Sequence, residues 1–131
     1  RHDNIIKAEA IYDYRNSKYK EKKKKKDNQM DNIELVRNPD ILKKLGQNKS
    51  SDQFLVGFAA ESNELINNAR KKLKNKNLDM IIANDISKSE TGFGSDDNEV
   101  TIITAKSMEE IPIMSKRKLA DVILDKVINS I

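Results

Sequence analysis

Residues 54–83 read FLVGFAAESNELINNARKKLKNKNLDMIIA, and this stretch decides the fold. It starts with a continuous apolar run at 54–60 and ends with a second one at 80–83, a pattern typical of strands that are covered on both faces. The segment between them, 64–76, has an apolar face formed by Leu65, Ile66, Ala69 and Leu73. Strand, amphipathic helix and strand at this spacing predict a right-handed βαβ unit.

The segments after this unit extend the same architecture. Residues 100–104 predict a strand, and Ile111–Met114 predicts a short apolar connection. Ser115 is placed to cap a final helix. Its predicted buried face consists of Leu119, Val122, Ile123 and Val127.

The segments before the unit are more polar. An apolar stretch at 5–11 predicts a first strand, and the lysine-rich residues 17–32, which lack apolar periodicity, predict a flexible flap before a short strand at 33–36. Asn38 and Pro39 suit the first positions of a helix, and Gly46 is placed to end it. Ser62 or Asn63 is placed to cap the helix at 64–76.

Together these elements predict an α/β fold with three layers, Rossmann-like, built on a βαβ core with a basic flap. The length of 131 residues suits one domain. Because the chain begins at Arg1 without a methionine and enters a strand almost at once, we expect it to be a partial domain.

The composition excludes several kinds of chemistry. The chain has no cysteine and a single histidine, His2, which argues against disulfides, thiolate metal sites and histidine-based triads. No stretch approaches the ~18 apolar residues of a membrane span. The acidic residues near Gly92 and Gly94 lack the spacing of a calcium loop. Lys, Asp, Asn and backbone groups must therefore carry any chemistry.

Positive charge is concentrated in two clusters. Residues 18–26 carry a net charge of +6 and residues 69–76 a net charge of +5, which leaves −7 on the rest of a chain whose total is +4. Such clusters fit a solvated surface, a weak grip on polyanions or a phosphorylated ligand. Lys72 and Lys76 share one face of the predicted helix. Ligands of such sheets bind near the carboxyl ends of the strands, next to the predicted helix. The position of the lysines on this helix therefore favours a small phosphorylated ligand.

Seven short motifs in fixed order resemble the phosphopantothenate–cysteine ligase family, also called phosphopantothenoylcysteine synthetase. They are AEAIYDY (8–14), the lysine block 23–26, NPDI (38–41), VGFAAE (56–61), ARKKLKNKNLD (69–79), AND (83–85) and GF with SD (92–96). The resemblance covers the C-terminal half of that domain, which most bacteria fuse to an FMN-dependent decarboxylase, a lyase, in one multifunctional enzyme.

The resemblance implies a reaction of coenzyme A biosynthesis. With CTP and Mg²⁺, the carboxylate of 4′-phosphopantothenate forms an acyl-cytidylate, and cysteine then displaces CMP to give 4′-phosphopantothenoylcysteine. The implied enzyme is a cytoplasmic homodimer with no nucleic-acid or membrane partner, and FMN belongs to the fused decarboxylase and not to this chain. A chain holding part of this site is expected to be inactive alone.

The resemblance also implies roles for single residues. Lys23 would be catalytic and reach the nucleotide phosphates from the flap, and Asp13 would hold the ribose or the metal. The other implied CTP contacts are Pro39, Asp40, Ile41 and Leu42 at a helix N-terminus, Phe58 against the nucleotide, and Lys72 and Lys76 on the triphosphate. Backbone contacts are implied at Ala8 and Glu9, although Glu9 replaces an alanine and its carboxylate would repel a triphosphate unless it points away or binds the metal.

A second hypothesis comes from the charge alone. A non-catalytic, basic Rossmann-like module that binds polyanions would show the same two clusters. It would bind an oligonucleotide with a steep dependence on salt, because contacts to the phosphate backbone release counterions.

Overall fold

The computed structural model describes residues 4–8, 13–17, 34–87 and 97–131, which fall into two compact units. The larger unit joins residues 1–9 with residues 42–131, and the smaller unit covers residues 10–41. In chain order the elements are β1 (Asn4–Lys7), β2 (Tyr14–Asn16), β3 (Leu35–Arg37), α1 (Ile41–Asn48), β4 (Phe54–Glu61), α2 (Leu65–Asn75), β5 (Met80–Asp85), β6 (Asp97–Thr104), β7 (Met108–Ser115) and α3 (Lys116–Ser130).

A five-stranded sheet in the order β1-β4-β5-β6-β7 forms the centre of the larger unit. β4 runs parallel to β1 and to β5, and the register places Ala60 opposite Asn84 and Glu61 opposite Asp85. β6 and β7 extend the sheet in antiparallel pairs. The predicted βαβ unit is confirmed. The carboxyl ends of β4 and β5 lie side by side at the same end of the sheet.

Helices cover the two faces of this sheet through separate hydrophobic cores. The core under α3 contains Val56, Met80, Ile82, Val100, Ile102, Ile111, Leu119, Ile123 and Val127. The core under α2 contains Leu55, Ala59, Ala69, Leu73, Leu78, Ile81, Ala83 and Ile103, with Leu42 and Leu45 of α1 packed against it. Because successive strand residues point to opposite faces, β4 and β5 contribute to both cores. The predicted three-layer α/β architecture is confirmed.

Gly46 lies inside α1 and is buried. The prediction that it ends the helix is wrong, because α1 continues to Asn48. A β-carbon at position 46 would lie 1.7 Å from the carbonyl oxygen of Lys76, and the side-chain amide of Asn77 donates to the Gly46 carbonyl at 2.9 Å. The glycine therefore allows α1 to approach the end of α2 closely.

The predicted apolar connection at Ile111–Met114 is instead part of a strand. β7 pairs with β6 over most of its eight residues and is one of the two outer strands of the described five-stranded sheet. Pro112 is compatible with an outer strand, where a missing N–H breaks no ladder hydrogen bond. At the end of β7, Ser115 caps α3 as predicted, since its Oγ accepts from the Lys118 N–H at 3.3 Å.

The start of α2 departs from the sequence prediction. The residue at the N-cap is Glu64, in a left-handed conformation with φ 44°, and it makes no side-chain capping hydrogen bond. The prediction of a cap at Ser62 or Asn63 is therefore wrong. The Asn63 carbonyl instead accepts a hydrogen bond from the Asn68 side chain at 3.2 Å.

Candidate nucleotide site

In the smaller unit, a two-stranded hairpin places Asp13 beside the segment that leads into α1. β2 and β3 pair antiparallel, with Tyr14 opposite Arg37, so Asp13 and Asn38 flank the same end of the hairpin. The Asn38 N–H donates to the Asp13 carbonyl oxygen at 2.7 Å. Two of the segments that the resemblance assigns to the nucleotide are thus joined through their backbones.

Arg15 donates a hydrogen bond to the Asn38 side chain. Its Nη1 donates to Asn38 Oδ1 at 2.9 Å and approaches the Arg37 carbonyl oxygen at 3.4 Å. The prediction that Asn38 and Pro39 form the first positions of the helix is wrong, because α1 begins at Ile41. Pro39 and Asp40 lead into the helix, whose first N–H groups lack intrahelical acceptors and suit an anion.

Arg37 supplies positive charge to this hairpin. The Tyr14 hydroxyl raises the pKa of Arg37 most strongly, and the carboxylates of Asp13 and Asp40 add to the increase. The guanidinium carbon lies 5.8 Å from the centroid of the Tyr14 ring. Asp13 and Asp40 therefore lie within the electrostatic reach of one cation, which offsets the negative charge that they would present to a nucleotide.

In the larger unit, the carboxyl end of β4 holds an ion pair. Glu61 Oε1 lies 2.6 Å from Lys72 Nζ, and the Asn68 side-chain amide approaches Glu61 Oε2 at 3.5 Å. The side chain of Glu61 is 14% exposed and that of Lys72 is 41% exposed. Lys72, the predicted phosphate-binding lysine, is therefore held at the carboxyl end of β4, and part of its side chain is exposed to solvent.

Lys76 shares a helix face with Lys72 but lies at the far end of α2. It is the C-cap residue, and its N–H donates to the Lys72 carbonyl at 3.0 Å. One helical turn, about 5.4 Å, separates the two positions along the axis. The role of both lysines on a triphosphate stays a prediction.

Phe58 faces the opposite side of the sheet from Lys72. It is 39% exposed and lines a cavity of about 300 Å³. The other residues that line it are Ile6, Lys116, Leu119, Ala120, Ile123 and Leu124. Since Lys72 belongs to α2 and this cavity lies against α3, the structure does not bring the Phe58 and Lys72 side chains together.

Leu42 and Ala8 are two further positions at which the resemblance implies contacts with the nucleotide through backbone groups. A β-carbon at Gly57 would lie 2.9 Å from Leu42 Cδ2, so the Leu42 side chain packs over β4. Ala8 directly follows β1, whose last residue, Lys7, pairs with Gly57. The nucleotide contacts that the resemblance implies at these two positions stay predictions.

Two polar residues at the ends of the parallel strands were assigned no role from the sequence. Glu61 binds Lys72, and Asn84 has a buried side-chain oxygen, Oδ1, without a hydrogen-bond partner. Both belong to motifs that carry the resemblance, VGFAAE and AND. The available signal was their position, because a polar residue that directly follows a buried strand in a βαβ unit lies where ligands bind.

Several predicted site residues lie outside the described ranges. These are Lys23, Glu9 and the flap at 17–32 apart from Ser17. Among the described residues, no group of three or more acidic or histidine side chains is placed to hold a metal ion. Mg²⁺ commonly binds through one or two carboxylates together with substrate phosphates, and the role of Asp13 on such a metal stays a prediction.

The fold defines a class of open α/β proteins that bind ligands at the carboxyl ends of their parallel strands. Within residues 4–8, 13–17, 34–87 and 97–131, no helix is long and apolar enough to cross a membrane. Residues 1–131 match the family of the DNA/pantothenate metabolism flavoprotein C-terminal domain over their whole length. The chain belongs to this family.

The chain is similar to curated bacterial proteins that share the name coenzyme A biosynthesis bifunctional protein CoaBC. The chain is 45% identical over 127 residues to the coenzyme A biosynthesis bifunctional protein CoaBC of Bacillus subtilis, and 37% identical over 127 residues to that of Escherichia coli. Both alignments cover 95% of this chain and 31% of the relative. The chain thus spans about a third of the length of the curated relatives that it matches.

Solved structures agree with this assignment. The crystal structure of the C-terminal domain of a coenzyme A biosynthesis bifunctional protein CoaBC matches with a TM-score of 0.70 and 36% identity, covering 95% of this chain and 53% of that one. A Streptococcus pneumoniae DNA/pantothenate metabolism flavoprotein matches with a TM-score of 0.59 at 22% identity, which supports the fold alone.

Proposed function

We propose that this chain forms the nucleotide-binding part of a CTP-dependent phosphopantothenate–cysteine ligase in coenzyme A biosynthesis. The observation that carries the proposal is the match over 95% of the chain, at 45% identity, to a bacterial protein named for coenzyme A biosynthesis. The seven motifs indicate that the matching part of that bifunctional protein is its synthetase half.

The proposed reaction has two steps. In the first, a carboxylate oxygen of 4′-phosphopantothenate attacks the α-phosphorus of CTP, and pyrophosphate leaves. In the second, the amine of cysteine attacks the acyl carbon, and CMP leaves as the amide forms. Such chemistry depends on positioning and on neutralising the charge that develops, which cations supply. Mg²⁺ bound to the triphosphate would neutralise phosphate charge.

The described residues suit this task in separate ways. Asp13 and the start of α1, joined by the Asn38–Asp13 hydrogen bond, would hold the ribose and anionic groups of the nucleotide. Lys72 would bind a phosphate from the end of β4. Lys23, which lies outside the described ranges, would act on the phosphates. Phe58, whose side chain lies on the other face of the sheet from Lys72, would pack against the nucleotide without contacting Lys72. The enzyme would work as a cytoplasmic homodimer, with FMN confined to the fused decarboxylase.

The competing function is a basic module that binds polyanions, favoured by the two lysine clusters. Isothermal titration of the 131-residue chain separates the two functions. We expect saturable binding of CTP·Mg²⁺ at one site, because the resemblance implies a single nucleotide site. Tight binding of a random oligonucleotide that falls steeply with salt, without binding of CTP·Mg²⁺, would support the module instead.

A further inference from the structure

The carboxylate of Glu61 is fixed more firmly than the lysine that it binds. Glu61 is the last residue of β4 and pairs with Asp85, and its backbone carbonyl accepts from the Ile86 N–H at 3.0 Å. Its side chain is 14% exposed, whereas that of Lys72 is 41% exposed. The strand therefore holds the carboxylate, and the carboxylate holds the ammonium group of Lys72.

Both oxygens of this carboxylate meet side chains of α2. Oε1 accepts from Lys72 Nζ at 2.6 Å, and Asn68 Nδ2 lies 3.5 Å from Oε2. Asn68 and Lys72 are four residues apart, so they project from the same face of the helix. An ammonium group has three N–H donors, and the bond to Glu61 uses one of them. The others can meet an anion on the exposed side.

We propose that Glu61 is a positioning residue that holds the Lys72 ammonium group at the carboxyl end of β4, ready to bind a phosphate of the nucleotide. This proposal rests on the proposed function. A lysine side chain loses rotamer freedom when it binds a ligand, and a lysine that is already held loses less. The charge of Glu61 is compensated by Lys72, so the pair presents a directed donor.

The test is a double-mutant cycle on CTP·Mg²⁺ binding, measured by titration of the 131-residue chain. Glu61→Ala is expected to raise the Kd for CTP·Mg²⁺ by about fivefold, from the ordering of one long side chain. In a Lys72→Ala background, Glu61→Ala is expected to cause no further increase, because Glu61 acts through Lys72. A merely structural role would weaken binding equally in both backgrounds.

Glu109 and Lys126 provide a matched control, since they form another strand-to-helix ion pair in the same unit. Glu109→Ala should leave the Kd for CTP·Mg²⁺ unchanged. Equal effects of Glu61→Ala with and without Lys72, or no effect in the wild-type background, would overturn the positioning role while leaving the proposed function intact. Failure of the wild-type chain to bind CTP·Mg²⁺ would overturn both.

Discussion

Gly46→Ala is expected to destabilise the larger unit by about 3 kcal/mol or more, at the upper end of the usual cost of overpacking. The new β-carbon would lie 1.7 Å from the carbonyl oxygen of Lys76, a backbone atom that cannot rotate away. Alanine favours a helix over glycine by about 1 kcal/mol, which is too little to offset this contact. Thermal unfolding should show a melting temperature lower by about 10 °C or more.

Gln47→Ala is the control for this substitution. Gln47 is the next residue of α1 and is exposed, so its replacement should change stability by less than about 0.5 kcal/mol. If Gly46→Ala unfolds at the same temperature as Gln47→Ala, the close approach of α1 to the end of α2 is wrong.

Lys23→Gln is expected to slow ligation by about a hundredfold, the scale on which loss of one group that stabilises the transition state acts. The measurement uses a chimera in which residues 1–131 replace the matching segment of the Bacillus subtilis relative. Quenched-flow assays of pyrophosphate release and of amide formation would report the two steps separately. Both steps should slow, because Lys23 is proposed to bind phosphates that are present until CMP leaves.

The neighbouring lysines make this prediction specific. Lys20→Gln removes the same charge from the same basic cluster and should change the rate by less than about twofold, because the resemblance assigns Lys20 no contact with the nucleotide and salt screens a charge that makes no such contact. A polyanion-binding module would instead lose affinity in proportion to the number of charges removed. Equal effects of the two substitutions would contradict a catalytic role for Lys23.

The core of the fold could be predicted because its elements are long and strongly patterned. The apolar runs at 54–60 and 80–83 leave strands as the simplest interpretation, and the face of α2 at Leu65 to Leu73 matches the core that it joins. Ser115 was predictable for a local reason, since its side chain acts within its own helix turn. Such features depend on few residues that are close in sequence.

β7 could not be predicted because its burial is one-sided and interrupted. Ile111 is buried, but Glu109, Glu110 and Pro112 are exposed, so the pattern of an outer strand is obscured by charge and by proline. The role of Gly46 could not be predicted for a different reason. Its role depends on a close contact with Lys76, which is thirty residues away in the sequence, and no local sequence pattern predicts such a contact.

Individual residues of the candidate site could be predicted, but their spatial arrangement could not. The resemblance implies roles for Asp13 and for residues 39–42, and the structure adds a hydrogen bond between Asp13 and Asn38, the residue directly before that segment. The resemblance named Lys72 and Phe58 as parts of one site, but their side chains face opposite sides of the sheet. It left Glu61 without a role, because the partner of a carboxylate is set by the packing of α2 on β4.

The proposed function of this chain is to supply the nucleotide-binding part of a CTP-dependent ligase. The most direct measurement is product formation by the chimera with 4′-phosphopantothenate, cysteine and CTP·Mg²⁺, followed by mass spectrometry and by pyrophosphate release. We expect 4′-phosphopantothenoylcysteine and one pyrophosphate for each CTP consumed. A folded chimera that forms no product under conditions where the Bacillus subtilis parent does would contradict this proposed function.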